Sequence, residues 1–208
     1  VVAGLPHSVG GVTINRFCAS GITAIQMAAD RIRVGEADVM IAGGAESMSM
    51  VPMGGNKPSF NPEVFARNEN VGIAYGMGLT AEKVAEQWKV SREKQDAFAL
   101  ASHQKALAAM AAGEFSDEMT PIDIIDRFPN LATGEVSTKT RTVKLDEGAR
   151  PDTSLEGLAK LKPVFAAKGS VTAGNSSQTS DGAGALILAS EKAVKQFDLK
   201  PLARFVSF

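Results

Sequence analysis

Apolar residues recur along this chain with two periods. Ile22, Ile25, Ala29 and Ile32 return every three or four positions, the spacing that aligns one face of a helix, and Gly35 follows as a terminator. Ahead of that helix Gly11 to Ile14 is short, apolar and β-branched, which predicts an extended segment. Beyond it, Ala37 to Ala42 is apolar except for Asp38 and runs into Gly43-Gly44, which predicts a buried parallel strand ending at those glycines. The order is therefore β-α-β. From Met48 to Gly78 the pattern dissolves into Gly, Pro, Asn and Met, an irregular excursion. Helical spacing resumes over Thr80 to Lys89 and Ser91 to Ala112, with Ser91 placed to cap the second helix and Gly113 to stop it.

The stretch between Pro129 and Pro151 is rich in Thr, Lys and Asp, which predicts a surface loop with a short hairpin around Thr142 to Leu145. After it come a short helix near Ser154 to Leu161, an extended Ser170 to Gly174, a strand Ala185 to Ala189, a helix Glu191 to Phe197, and an alternating, strand-like Ala203 to Phe208. The β-rich pieces sit at the two ends. The expected architecture is a layered α/β domain with a mixed sheet, built from residues 1–50 and 179–208, with residues 51–178 inserted as a mostly helical loop domain.

Composition narrows the function. Twenty-two basic against twenty-three acidic residues leave a net charge of -1, without the basic footprint of a nucleic-acid binder. The apolar runs fall well short of the roughly 20 residues that cross a bilayer, so no membrane span is expected. A single cysteine without C-x-x-C or His-rich spacing argues against a disulfide framework or a metal site, and suits a reducing compartment, the cytoplasm first. Both ends read as cuts through a longer protein, because no methionine starts the chain and it stops on a strand-like run. A targeting segment is therefore left open.

Cys18 is the side chain here that becomes a strong nucleophile when ionised. It lies between the extended run and the first helix, where free backbone N–H groups and the helix dipole favour an anion and a developing oxyanion. On its own such a cysteine also reads as a small buried hydrophobe. The surrounding string decides: Asn15-Arg16-Phe17-Cys18-Ala19-Ser20-Gly21 resembles the acyl-accepting segment of the thiolases. Four further strings follow in thiolase order, namely Gly35 to Asp38 with Ala42 to Ser49, Met77 to Glu82, Ser91 to Phe98, and Val171 to Ser177.

The resemblance covers nearly the whole chain and implies a thiolase-like layered α/β fold: an incomplete N-terminal domain plus the loop domain, with the C-terminal domain absent. It implies an acyltransferase that cleaves 3-ketoacyl-CoA to acetyl-CoA and a shortened acyl-CoA, or runs the condensation in reverse, through an acyl-enzyme on Cys18. Coenzyme A is then a co-substrate rather than a resident cofactor, and the intact protein a homodimer or homotetramer. By the same resemblance Ser177 and Ala173 hold the pantetheine arm and Met77 lies beside the acyl group. Arg150, Leu158 and Phe165 contact the nucleotide end; the basic stretch Lys139, Arg141 and Lys144 before them reads either as a partner for CoA phosphates or, as such runs more often do, as a solvated loop face. Gly76 stands where short-chain biosynthetic thiolases carry a histidine, which leans toward a degradative enzyme for longer chains. Ketoacyl synthases share the fold and an acylated cysteine, but the Met77 to Glu82 and Ser91 to Phe98 strings favour thiolase. A non-catalytic acyl-CoA binder is the reading from another class, and an acyl group trapped on Cys18 separates it from an enzyme.

His7 and His103 are isolated, and neither matches a thiolase catalytic histidine. The family's histidine, its second cysteine and its Asn-Glu-x-Phe segment belong to the C-terminal half, so residues 1–208 alone are predicted inactive. C–C cleavage needs a base for the thiol and an acid for the enolate. Thiolysis of acetoacetyl-CoA and of a medium-chain ketoacyl-CoA by the 208-residue chain should give no multiple turnovers; a rate near that of a complete thiolase contradicts the assignment.

Overall fold

The computed structural model describes residues 2–69 and 71–208. Its elements in chain order are a 3₁₀ turn Phe17–Ala19, α1 (Ser20–Arg33), β1 (Val39–Ser47), α2 (Glu63–Ala66), a 3₁₀ turn Val71–Ala74, α3 (Met77–Gln87), α4 (Arg92–Ala111), β2 (Ile122–Pro129), β3 (Val136–Val143), α5 (Leu155–Ala159), β4 (Asp181–Ala189) and α6 (Glu191–Gln196). They form two compact units, Val1–Pro58 with Thr179–Phe208, and Ser59–Gln178.

The first unit is a helix laid on a strand pair. Ala28 and Ala29 of α1 and Ala42 of β1 are buried, and side chains this small let the helix backbone come close to the sheet. Gly35 ends α1 in the left-handed region at φ 79°, where the N–H groups of Gly35 and Glu36 donate back to the carbonyls of Ile32 and Arg31. The strand that follows departs from the sequence pattern. β1 is antiparallel to β4, in unbroken register from Val39 opposite Ala189 to Ser47 opposite Asp181, where the apolar run predicts a parallel strand. Gly43 and Gly44 lie inside it, opposite Ala185 and Gly184, and do not end it. The small residues of β4 continue the ladder past them, and at the far end Asp181 accepts from the Ser49 backbone N–H at 2.9 Å, so the irregular composition after Met48 begins inside this unit.

Two predicted strands are absent from their places. Residues 11–14 form no regular element, and residues 203–208 form none either. In place of a ladder the final segment has Arg33, which donates to the carbonyls of Phe205 and Val206 at 3.3 and 2.9 Å and stacks over the Phe205 ring. Arg16 stacks likewise over Phe208.

The second unit holds α2 to α5 and a hairpin. Ser91 caps α4, accepting from the Lys94 N–H, as its position predicts. α3 starts at Met77, ahead of the expected Thr80, with Gly76 as its extended N-cap. The hairpin is the larger correction: β2 and β3 pair from Ile122 opposite Val143 to Pro129 opposite Val136, well before the expected position. Polar cross-strand contacts hold it, Arg141 to Asp126 at 3.0 Å and Thr142 to Asp123 at 2.6 Å. β3 is exposed along all but Val143, so it lacks the hydrophobic alternation by which strands are recognised. Among the described residues no helix is long and apolar enough to cross a membrane.

One tie in the first unit titrates. The Asp38 carboxylate accepts from Lys192 at 2.7 Å and from the Ser190 hydroxyl at 2.8 Å, joining the start of β1 to the start of α6. The Lys192 hydrogen bond first, then that of Ser190, hold its pKa below the ordinary 3.8. A depressed carboxylate contributes stability above its unfolded pKa and loses it as pH falls through the folded one. The urea midpoint of the wild type is therefore expected to fall more steeply below pH 3.8 than that of Asp38→Asn, whose contribution from this group is already gone. Parallel curves in both proteins contradict that role.

Candidate functional site

Cys18 lies in the 3₁₀ turn that leads into α1, just ahead of the helix's first full turn, and is exposed. The chain is held tightly there. The Asn15 side chain accepts from the Phe17 N–H at 2.9 Å, while Ser20 accepts from the Arg16 N–H at 2.8 Å and donates to the Phe17 carbonyl at 2.7 Å. Thr23 adds a hydroxyl bond to the Ala19 carbonyl at 2.8 Å. These bonds support Phe17 in the left-handed region at φ 48°, a conformation that a bulky residue adopts only when its surroundings impose it. The thiol is thus carried on a rigid, strained turn. Asn15 and Ser20 were legible only as part of the family string; nothing in their spacing announces the two-way Ser20 bond.

In the second unit a cleft of about 1200 Å³ is lined by Arg150, Leu158, Ala173 and Ser177, together with Asn175 and His103. Four residues singled out from the sequence therefore share one surface. Met77 and Phe165 are grouped elsewhere: the Phe165 ring stands against Gly78, the neighbour of Met77 at the start of α3. Lys139 and Arg141 lie on β3, and Arg141 is engaged with Asp126.

Arg150 is exposed at the rim and paired with Asp152 through two nitrogens, at 3.1 and 3.3 Å. That hydrogen bonding holds the Asp152 carboxyl below its ordinary range and raises the guanidinium further, so both stay charged across the neutral range. The guanidinium is oriented by this pairing, and its charge is shared with the carboxylate. His103 is the residue that sequence reasoning discarded: its Nδ1 accepts from the Arg150 backbone N–H at 3.1 Å. Its polar helical surroundings hid this, because the partner is far along the chain.

The segment carrying Ala173 and Ser177 is fastened from behind. The Glu82 carboxylate accepts from the backbone N–H groups of Ser170 and Val171 at 2.9 to 3.1 Å, and Gln95 donates to the Ser170 hydroxyl at 2.8 Å. Thr172 is fully buried, and its hydroxyl accepts from the N–H groups of Gly174 and Asn175. Ala173 and Ser177 are left exposed on the cleft side.

A fold of this kind, with a thiol on a helix-entry turn and a cleft walled by small residues and hydroxyls, can be placed among known proteins. Residues 1–192 match the family described as "Thiolase, N-terminal domain", and the chain belongs to the thiolase family. It is 44% identical over 208 residues to the 3-ketoacyl-CoA thiolase of Bacillus subtilis (strain 168), covering 100% of this chain and 52% of that protein. It superposes on the crystal structure of the dimeric peroxisomal thiolase of Saccharomyces cerevisiae with a TM-score of 0.80 at 36% identity, covering 98% of this chain and 49% of that one. Against human mitochondrial 3-ketoacyl-CoA thiolase in complex with CoA the TM-score is 0.75 at 40% identity, over 97% and 50% of the two chains. The chain spans about half the length of the relatives it matches.

Gly78 offers a local test. A Cβ there would stand 2.1 to 2.3 Å from three carbons of the Phe165 ring, including Cγ, so the whole ring has to leave rather than flip. Helix propensity favours alanine by up to ~1 kcal/mol, whereas overpacking costs ~1–3 kcal/mol. Gly78→Ala should therefore lower the unfolding free energy by roughly 1 kcal/mol in denaturant titrations. A gain in stability contradicts the packing.

Proposed function

We propose that this chain carries the nucleophile and the CoA-binding wall of an enzyme that breaks or makes the carbon–carbon bond of a 3-ketoacyl-CoA. The observation that supports it most is the gathering of Arg150, Leu158, Ala173 and Ser177 on one cleft, with a charged guanidinium at the rim and small residues and a hydroxyl along the wall. Such a surface suits a ligand with a phosphorylated head and a narrow amide-bearing arm. The match to the thiolase N-terminal domain and the CoA-bound human relative support the same reading.

In this reading the Cys18 thiolate attacks the 3-keto carbon, and the tetrahedral oxyanion collapses with cleavage of the bond to C2. The acyl chain stays on sulfur, the acetyl-CoA enolate leaves and takes a proton, and the thiol of a second CoA recovers the acyl group. Cys18 serves as nucleophile, on a turn whose following helix favours negative charge. Ser177 and the Ala173 backbone hold the pantetheine arm, Arg150 binds phosphate, Leu158 flanks the nucleotide, and Met77 borders the acyl group, with Phe165 on that side rather than at the nucleotide because its ring stands against Gly78. The activating base and the proton donor for the enolate come from the C-terminal half of the whole protein. That protein works as a dimer or tetramer, with residues 51–178 as its loop domain. Val39, Ile41 and Ile187, exposed on one face of the strand pair, support a further layer packed there.

Binding and chemistry should separate by residue. Arg150→Ala is expected to weaken CoA binding by about 1.5 to 3 kcal/mol, toward the lower end because the site is open to water. Cys18→Ser should leave CoA affinity unchanged in isothermal titration while abolishing turnover of the whole protein. Equal damage to both quantities from both substitutions contradicts the division of roles.

A further inference from the structure

We propose that Asp96 and Glu82, two carboxylates that stand behind the cleft rather than on its lining, are positioning residues that hold its walls at the spacing CoA requires. The inference rests on the reading of the cleft as the CoA site. Asp96 is only 4% exposed. One of its oxygens accepts from Arg92 Nε at 2.8 Å and the other from Asn175 Nδ2 at 2.9 Å. Each partner reaches on to a different wall. Arg92 also donates to the carbonyls of Leu158 and Leu161, fixing the segment that carries Leu158. Asn175 accepts from the Thr172 N–H at 2.7 Å and donates to the Ser170 carbonyl, fixing the loop that carries Ala173 and Ser177. Glu82 grips the same loop at its start through the Ser170 and Val171 N–H groups.

The helix itself forms the third side. Asp96 is followed at helical spacing by Ala99, His103 and Ala106, all on the cleft lining, so one face of α4 keys both walls to a common floor. The geometry calls for two acceptor oxygens at 96. Both neighbours are donors, and the Arg92 charge compensates the buried carboxylate. An amide at 96 has one acceptor oxygen, so its own NH₂ must confront one of the two donors and leave it unpaired.

The test measures CoA binding to the whole protein, with pantetheine and adenosine 3′,5′-bisphosphate as separate probes and thermal melting as a check of folding. Asp96→Asn should weaken CoA about tenfold, the loss of one hydrogen bond to a charged group. The combined variant D96N/N175D puts the carboxylate on the other side of the same bond but leaves the Ser170 carbonyl without its donor, so it should recover only part of that loss. Glu82→Gln loosens only the loop, so pantetheine should weaken several-fold while adenosine 3′,5′-bisphosphate stays within about twofold. If Asp96→Asn binds CoA like the wild type while Arg150→Ala still weakens it, the positioning role is wrong and the CoA reading stands. No change from any variant, Arg150→Ala included, removes both. Should Asp96→Asn fail to fold, the Glu82→Gln comparison decides, and equal loss of the two probes overturns the proposal.

Discussion

The second unit depends on a buried charge. Where most small domains close around aliphatic side chains, this one encloses the Asp96 carboxylate and the Thr172 hydroxyl along with Leu158 and Val171. Such a core is stable only if every donor and acceptor is matched, because an unpaired buried polar group costs ~1–3 kcal/mol. Among the described residues, no buried side-chain nitrogen or oxygen lacks a partner. Directional bonds fix positions where apolar packing would allow repacking. The loop from Ser170 to Ser177 has little regular structure beyond a bridge to Pro163, yet it is held by Glu82, Gln95, Asp96 and its own Thr172 and Asn175. A wall built this way keeps its shape when its exposed side faces water.

The first unit uses the opposite economy. Alanines carry the contact between α1 and the strand pair, and larger apolar residues, Val39, Ile41 and Ile187, remain exposed on the sheet. The turn at Cys18 is held separately, by short local bonds from Asn15, Ser20 and Thr23. The strain at Phe17 is local and is held by those bonds rather than by burial, since Phe17 is itself 65% exposed.

Much of this was legible in the sequence, for identifiable reasons. The helices announced themselves through spacing and punctuation: Ser91 as a cap, Gly35 and Gly113 as left-handed terminators. The strands were harder. β1 reads as a buried parallel strand because its run lacks polar alternation, but small residues on both β1 and β4 let an antiparallel ladder run through Gly43-Gly44. β3 has no apolar face, so only its cross-strand charges identify it. At the cleft, the resemblance led to Arg150, Leu158, Ala173 and Ser177, while the contacts of His103 and of Asp96, itself inside the Ser91 to Phe98 string, stayed hidden. Their partners are distant in the chain, and a helical polar residue looks the same in sequence whether it meets water or a buried amide.

The central claim is that Cys18 receives the acyl group. It is tested most directly by mixing the whole protein with one equivalent of acetyl-CoA, quenching in acid, digesting with trypsin and locating the acetyl group by mass spectrometry. Cleavage after Arg16 and Arg31 isolates Cys18 on the peptide 17–31. The account predicts an acetyl thioester on that peptide, removed by added CoA and absent in Cys18→Ser. Acetylation elsewhere with the peptide unmodified, or a label on Cys18 that CoA cannot remove, would contradict it.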